Sequence, residues 1–173
     1  NAAGAWAAGI ELGHDRAALA HALGEFAGTG RRFETKGEEG GITVIDDYAH
    51  HPTEVAATLQ AARERAGDGR VLVLFQPHLY SRTRNFANEF ARALELADVV
   101  VVTGVYAARE DPMPGVEGDL IAGAMDAGVF IQDKNEAASW IADQARRNDI
   151  VLTVGAGDVT ELGPQILRRI AAR

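Results

Sequence analysis

Two short stretches of this chain, Val71–Phe75 and Val99–Val102, are apolar at every position, and a third, Ile150–Val154, is apolar but for Thr153. Successive side chains of a strand point to opposite faces, so a strand with one wet face alternates apolar and polar residues. A strand with no polar position needs both faces covered, as in a parallel sheet with helices packed on each side. Val129–Ile131 is a weaker fourth candidate. Arg31–Thr35, the turn Lys36–Gly41 and Ile42–Ile45 read as a hairpin leading into the sheet. Helical spacing of apolar residues marks Pro52–Arg65, Ser81–Leu96, Gly118–Ala127, Asn135–Arg147 and Val159–Ala172. Strand and helix alternate, so the expected class is α/β with a doubly wound, mostly parallel sheet.

Residues 1 to about 28 read differently, as two short helices. The alanine-rich Ala2–Leu12 ends at Gly13. Asp15 can cap a second helix whose Ala18, Leu19, Ala22, Leu23 and Phe26 follow helical spacing. Gly28-Thr29-Gly30 is the natural joint, giving parts 1–28 and 29–173. The start at Asn1, inside a helix and without methionine, reads as a piece of a longer protein.

The formal charge of −8 argues against a nucleic-acid partner, because phosphate binding needs a basic face. With no cysteine, disulfides and thiolate zinc sites are unavailable, which suits a reducing cytoplasm. No apolar run is long enough to cross a bilayer, so no membrane partner is expected. There is no GxxxxGK[ST] phosphate loop.

Nearly every unusual polar cluster directly follows a predicted strand, where ligands bind in a doubly wound sheet. Asp46-Asp47-Tyr48-Ala49-His50-His51 follows the first, Gln76 to Arg84 the second, Thr103 to Gly115 the third and Gly155-Ala156-Gly157-Asp158 the last. Adjacent histidines at a strand end diverge and lack an obvious third ligand, so a metal site is not expected there. Pro52 and Glu54 suit a helix N-terminus, which together with two imidazoles favours an anion. Ser81 is a plausible cap for the next helix. Arg82 and Arg84 beside it oppose the helix dipole unless they face a negative ligand. The Gly155–Asp158 turn, with Thr160 where a third glycine would stand, reads as a tight turn capped by Asp158. Trp6 and Trp140 read as packing residues. Asp111-Pro112-Met113-Pro114-Gly115 reads as a stiff loop over the crevice.

The stretches Asp46–Glu54 and Gln76–Arg84, with Asn1-Ala2-Ala3 and Arg31-Arg32-Phe33-Glu34, resemble the Mur ligases of peptidoglycan synthesis over essentially the whole chain. The resemblance implies a Rossmann-like carboxyl-terminal domain that brings the incoming amino acid, preceded by the last helices of a central ATPase domain. It implies UDP-N-acetylmuramate, L-alanine and ATP as substrates, with Mg2+ and the phosphate loop supplied by upstream domains. Asn1 then matches a residue on the adenine side of ATP, and Arg32 one that reaches the nucleotide phosphates. Asp47 matches the acid on the ribose hydroxyls, with Asp46 as its neighbour. Tyr48, His50 and His51 match the loop facing the amino-acid and muramoyl end. Arg82, with His78 close by, matches the arginine on the amino-acid carboxylate. His50, His51 and Arg82 are the residues expected nearest the reacting groups. Position 79 is leucine where some relatives carry arginine, which leaves Arg82 or Arg84 as the carboxylate clamp. A branch that recycles murein tripeptide is similar around Asp47–Pro52, and a non-catalytic ligand-binding module is the reading from another class.

Overall fold

The computed structural model describes residues 2–26 and 29–173. The chain forms two compact units, Asn1–Gly30 and Arg31–Arg173. In the first, α1 (Ala2–Glu11) and α2 (Arg16–Glu25) form a helix pair. Asp15 caps α2 as expected, accepting from the N–H groups of Ala17 and Ala18 at 3.0 and 2.9 Å. A Cβ on Gly9 would lie 2.8 Å from the Leu19 methyls, so the glycine permits that contact. None of the residues of α2 is buried, and Phe26, which follows it, is 63% exposed. Two ten-residue helices have too little surface to enclose each other. Trp6 is also only partly covered, its indole N–H reaching the Arg16 carbonyl at 3.4 Å.

The second unit is built on six strands: β1 (Glu34–Glu39), β2 (Ile42–Asp47), β3 (Val71–Phe75), β4 (Val99–Val102), β5 (Val129–Phe130) and β6 (Ile150–Val154). Their order is β1-β2-β6-β3-β4-β5, with β1 antiparallel and the rest parallel. The helices are α3 (Pro52–Ala66), α4 (Tyr80–Leu94), α5 (Asp119–Ala122), α6 (Lys134–Gln144) and α7 (Leu162–Ala171). Val55 and Leu59 of α3, Phe90 and Leu94 of α4 and Ile121 of α5 pack with Val73, Phe75 and Leu152 on one face. Ile141 of α6 and Ile166 of α7 pack with Leu72, Leu74 and Val151 on the other. Every residue of β3 and β6 is buried, as the apolar run of β3 requires, and Thr153 of β6 is buried with it. Trp140 packs against the second of these faces.

Three local expectations need correction. The hairpin turn is only Gly40-Gly41, with φ of 59° and 75°, the two left-handed positions of a tight primed turn; Lys36–Glu39 continue β1. The helix expected over Gly118–Ala127 stops at Ala122, where Gly123 follows and helix propensity falls. The last helix is split into a 3-10 turn, Asp158–Glu161, and α7. Pro164 forces the split, because its ring would collide with the Thr160 carbonyl in one continuous helix, yet it fits α7's first turn.

Candidate functional site

β6 lies between β2 and β3, but the chain leaves it toward α7, while it leaves β2 and β3 toward α3 and α4 on the opposite face. Loops that part in opposite directions open a crevice at the carboxyl ends of these strands. The loops after β2, β3, β4 and β6 converge there: Tyr48 N–H donates to the Arg31 carbonyl, Gln76 to Val154, Tyr106 to Pro77 and Leu79 to Tyr106.

Asp46 and Asp47 end β2 on opposite faces of the sheet. Asp46 is fully buried and accepts from the Thr153 and Thr160 hydroxyls at 2.7 and 2.8 Å and from Arg31 Nε at 3.2 Å. Arg31 Nη2 also donates to the Gly155 carbonyl at 2.6 Å. Asp47 accepts from the N–H groups of Phe33 and Ala49, at 2.7 and 2.8 Å, and from the Thr58 hydroxyl at 3.0 Å. All four carboxylate oxygens thus have partners within the chain. The pair ties the Arg31–Phe33 segment to the loops after β2 and β6.

Beyond the aspartates runs a row of four rings. Tyr48 and His50 meet edge to face at 5.1 Å between centroids, His50 and His78 at 5.9 Å, and His78 stacks on Tyr106 at 5.8 Å. The guanidinium carbons of Arg31 and Arg32 lie 4.9 and 5.5 Å from the Tyr48 centroid, within cation–π range. Arg82, half-buried, donates to the His50 carbonyl at 3.1 Å, which brings its charge to the row. Arg84 is exposed and points elsewhere, toward Asn85 Oδ1 and Met113 Sδ, each at 3.3 Å. Burial holds the His78 imidazole below the usual histidine range; Arg82 and His50 push the same way and Glu110 opposes them. Its Nδ1 is buried without a hydrogen-bond partner.

The two helix N-termini at the crevice are served by carboxylates of the chain itself. At α3, His51 is the cap, its Nδ1 facing the Thr53 N–H at 3.4 Å, and Pro52 takes the first helical position as expected. Glu54 reaches back to the His50 N–H at 3.0 Å and lies 3.3 Å from His50 Nδ1. At α4 the cap residue is Leu79, at φ 73°, and not Ser81. Ser81 lies inside the first turn, where its N–H and hydroxyl both donate to Glu110. Those bonds hold the Glu110 carboxyl below the ordinary range. Asp158 is likewise not a cap: it accepts from Gln76 Nε2 at 2.8 Å and from Lys134 Nζ at 2.5 Å.

Thus the structure brings Tyr48, His50, His78 and Arg82 together, sets Arg32 beside Tyr48, leaves Arg84 outside, and gives His51 a helix-capping position. Asn1 lies outside the described residues. Sequence reasoning assigned no role to Tyr106, Glu110, Arg31, Gln76 or Lys134. For Tyr106 and Glu110 the only signal was their place after an unbroken valine strand. Among the described residues no three His, Asp or Glu side chains converge to hold a metal ion. A polar cavity of about 390 Å3 opens beside the row, lined by Gln76, Thr103, Tyr106, Gln132, Lys134 and Asp158 among others. A larger one, about 650 Å3, lies at the opposite end of the strands. No described helix is long and apolar enough to cross a membrane.

Comparison with known proteins agrees with this geometry. A UDP-N-acetylmuramate--L-alanine ligase of Kineococcus radiotolerans is 57% identical over 177 residues, covering 100% of this chain and 38% of the relative. The crystal structure of a UDP-N-acetylmuramate-alanine ligase from Thermotoga maritima superposes with a TM-score of 0.77 at 34% identity, covering 96% of this chain and 36% of that one. A murein peptide ligase from Psychrobacter arcticus shares the fold, with a TM-score of 0.73 at 23% identity over 97% of this chain and 35% of that one. The chain therefore spans a little over a third of the length of the proteins it matches. Residues 31–157, which carry the sheet, the ring row and both buried aspartates, match the family described as Mur ligase, glutamate ligase domain, and the chain belongs to it.

Proposed function

We propose that this chain is the amino-acid-handling part of a ligase that joins L-alanine to the lactyl carboxylate of UDP-N-acetylmuramate in peptidoglycan precursor synthesis. The observation that carries the reading is the Arg82 guanidinium at the ring row beside His78, whose buried Nδ1 has no partner, on a chain 57% identical to a relative of that name. ATP with Mg2+, held mainly by the rest of the protein, supplies the phosphoryl group that makes the carboxylate an acyl phosphate. The amine of L-alanine then bonds to the acyl carbon and loses a proton. The acyl C–O bond to phosphate breaks, its electron pair leaving on inorganic phosphate.

In this reading Arg82 holds the alanine carboxylate by charge-assisted hydrogen bonds. His78, His50 and Tyr48 wall the seat and orient the amine toward the acyl carbon, a contribution of positioning. His51 presents its remaining ring nitrogen toward the muramoyl side. Arg32, exposed, is free to turn toward nucleotide phosphates, and Asp47 with Asp46 fixes the segment from which it reaches. Asn1 is assigned to the adenine side by resemblance alone. The exposed Leu12 and Phe26 of the first unit fit helices that belong to a larger upstream domain. ATP and a UDP-sugar as substrates place the reaction in the bacterial cytoplasm.

The test is phosphate release from ATP by the full-length protein carrying this segment, given UDP-N-acetylmuramate and either L-alanine or murein tripeptide. Release with L-alanine is expected. Release only with tripeptide would make it a recycling ligase, and release with neither would leave a ligand-binding module.

A further inference from the structure

Tyr106 belongs to two places at once. Its ring stacks on His78 at 5.8 Å and 16° between planes, as the last member of the row that includes Arg82's partner His50. It also lines the 390 Å3 cavity with Gln76, Thr103, Gln132, Lys134 and Asp158. The ring is held on several sides. Its backbone is bridged to the loop after β3, Tyr106 N–H donating to the Pro77 carbonyl at 2.8 Å and its carbonyl accepting from Leu79 N–H at 3.0 Å. A Cβ on Gly157 would stand 2.6 Å from Tyr106 Cγ and 2.4 Å from Gln76 Oε1, so the turn after β6 needs glycine to seat the ring. Gln76 is fixed in turn, donating to Asp158 at 2.8 Å and accepting from Val159 N–H at 3.1 Å.

We propose that Tyr106 is a specificity-determining residue: its ring closes the amino-acid seat off from the cavity and so limits the incoming side chain to a small one. The inference rests on the ligase reading above and deepens it. The space behind the ring is polar: Gln76 and Thr103 are buried, and Lys134 lies 2.5 Å from Asp158. Removing the ring therefore admits amino acids with a longer polar side chain, such as L-glutamine, better than apolar ones of similar length, which would exclude water from the half-exposed Lys134 and Asp158 without replacing it. Enlarging the ring narrows the seat and favours glycine. For scale, one methylene more or less in a close-fitting hydrophobic pocket changes discrimination roughly 10- to 200-fold.

The experiment measures kcat/KM of the full-length protein for L-alanine, glycine, L-glutamine and L-leucine, in wild type, Tyr106→Ala and Tyr106→Trp. Wild type is read first: failure to use L-alanine sinks the ligase reading, and this inference with it. Given wild-type use of L-alanine, Tyr106→Ala is expected to raise the L-glutamine to L-alanine ratio about tenfold or more, with a smaller rise for L-leucine, and Tyr106→Trp to raise the glycine to L-alanine ratio. Should Tyr106→Ala not fold, the Tyr106→Trp ratio decides alone. Wild-type ratios in the variants that turn over, or loss of turnover with every amino acid in both, would overturn the proposal, because the ring's role would then be structural and not selective.

Discussion

Glu110 closes the first turn of α4 from a loop 29 residues away in sequence, accepting both the backbone N–H and the hydroxyl of Ser81. A helix N-terminus carries unsatisfied donors and a partial positive charge, and here a carboxylate of the chain answers both. Arg82, the next residue along, is held in the same turn. The long loop after β4 and the arginine of the ring row are therefore coupled through one contact.

Glu110→Ala should lower Tm and weaken L-alanine binding together, as a raised KM in the full-length protein. The linkage sign follows from the carboxyl's depressed folded-state value. Its stabilisation is present above the unfolded carboxylate range and is lost as pH falls through the lower folded value. The Tm gap between wild type and Glu110→Gln is thus expected to close in acid. A gap that stays constant from neutral pH down through the carboxylate range would show that Glu110's charge is not what holds α4.

Asp46→Ala should be among the most destabilising single changes in the second unit. It leaves the Thr153 and Thr160 hydroxyls and the Arg31 guanidinium without their shared acceptor inside the fold. Removing one partner of a buried charged network costs on the order of 3–5 kcal/mol. Urea unfolding of the full-length protein, followed with a probe in this unit, measures it. A loss below about 1 kcal/mol, the range of exposed ion pairs, would mean Asp46 is not holding Arg31 in place.

His78 should titrate below the ordinary histidine range, because burial disfavours its imidazolium and Arg82 and His50 add to that effect. As pH falls through the ordinary histidine value, the unfolded chain takes up the proton before the folded one does, so His78 subtracts stability in acid. Histidine ring resonances followed by NMR give the midpoint directly. A midpoint at or above the ordinary histidine value would refute the burial argument, and would remove the neutral imidazole from the proposed seat.

What the sequence alone determined is the class of fold and the edge at which chemistry collects. Val71–Phe75 and Val99–Val102 have no polar position to offer water, so only a sheet covered on both faces accommodates them, and strand–helix alternation places the polar loops at one end. The helix starts at Asp15 and Pro52 were equally legible, because a cap is a local bond within four residues. The tertiary structure alone decided which side chains meet. Ser81 and Asp158 carry cap chemistry in sequence, yet Leu79 and Gly157 hold the cap positions, since Glu110 engages Ser81, and Gln76 and Lys134 engage Asp158, from distant parts of the chain. Arg82 and Arg84 are two residues apart, and only packing against the loop after β2 draws the first to the rings while the second lies along Met113. Asp46 and Asp47 are adjacent, but a strand turns them to opposite faces, where two different sets of neighbours satisfy them. Local bonds are written in neighbouring residues; contacts across β2, β3, β4 and β6 exist only once the sheet has brought its carboxyl ends together.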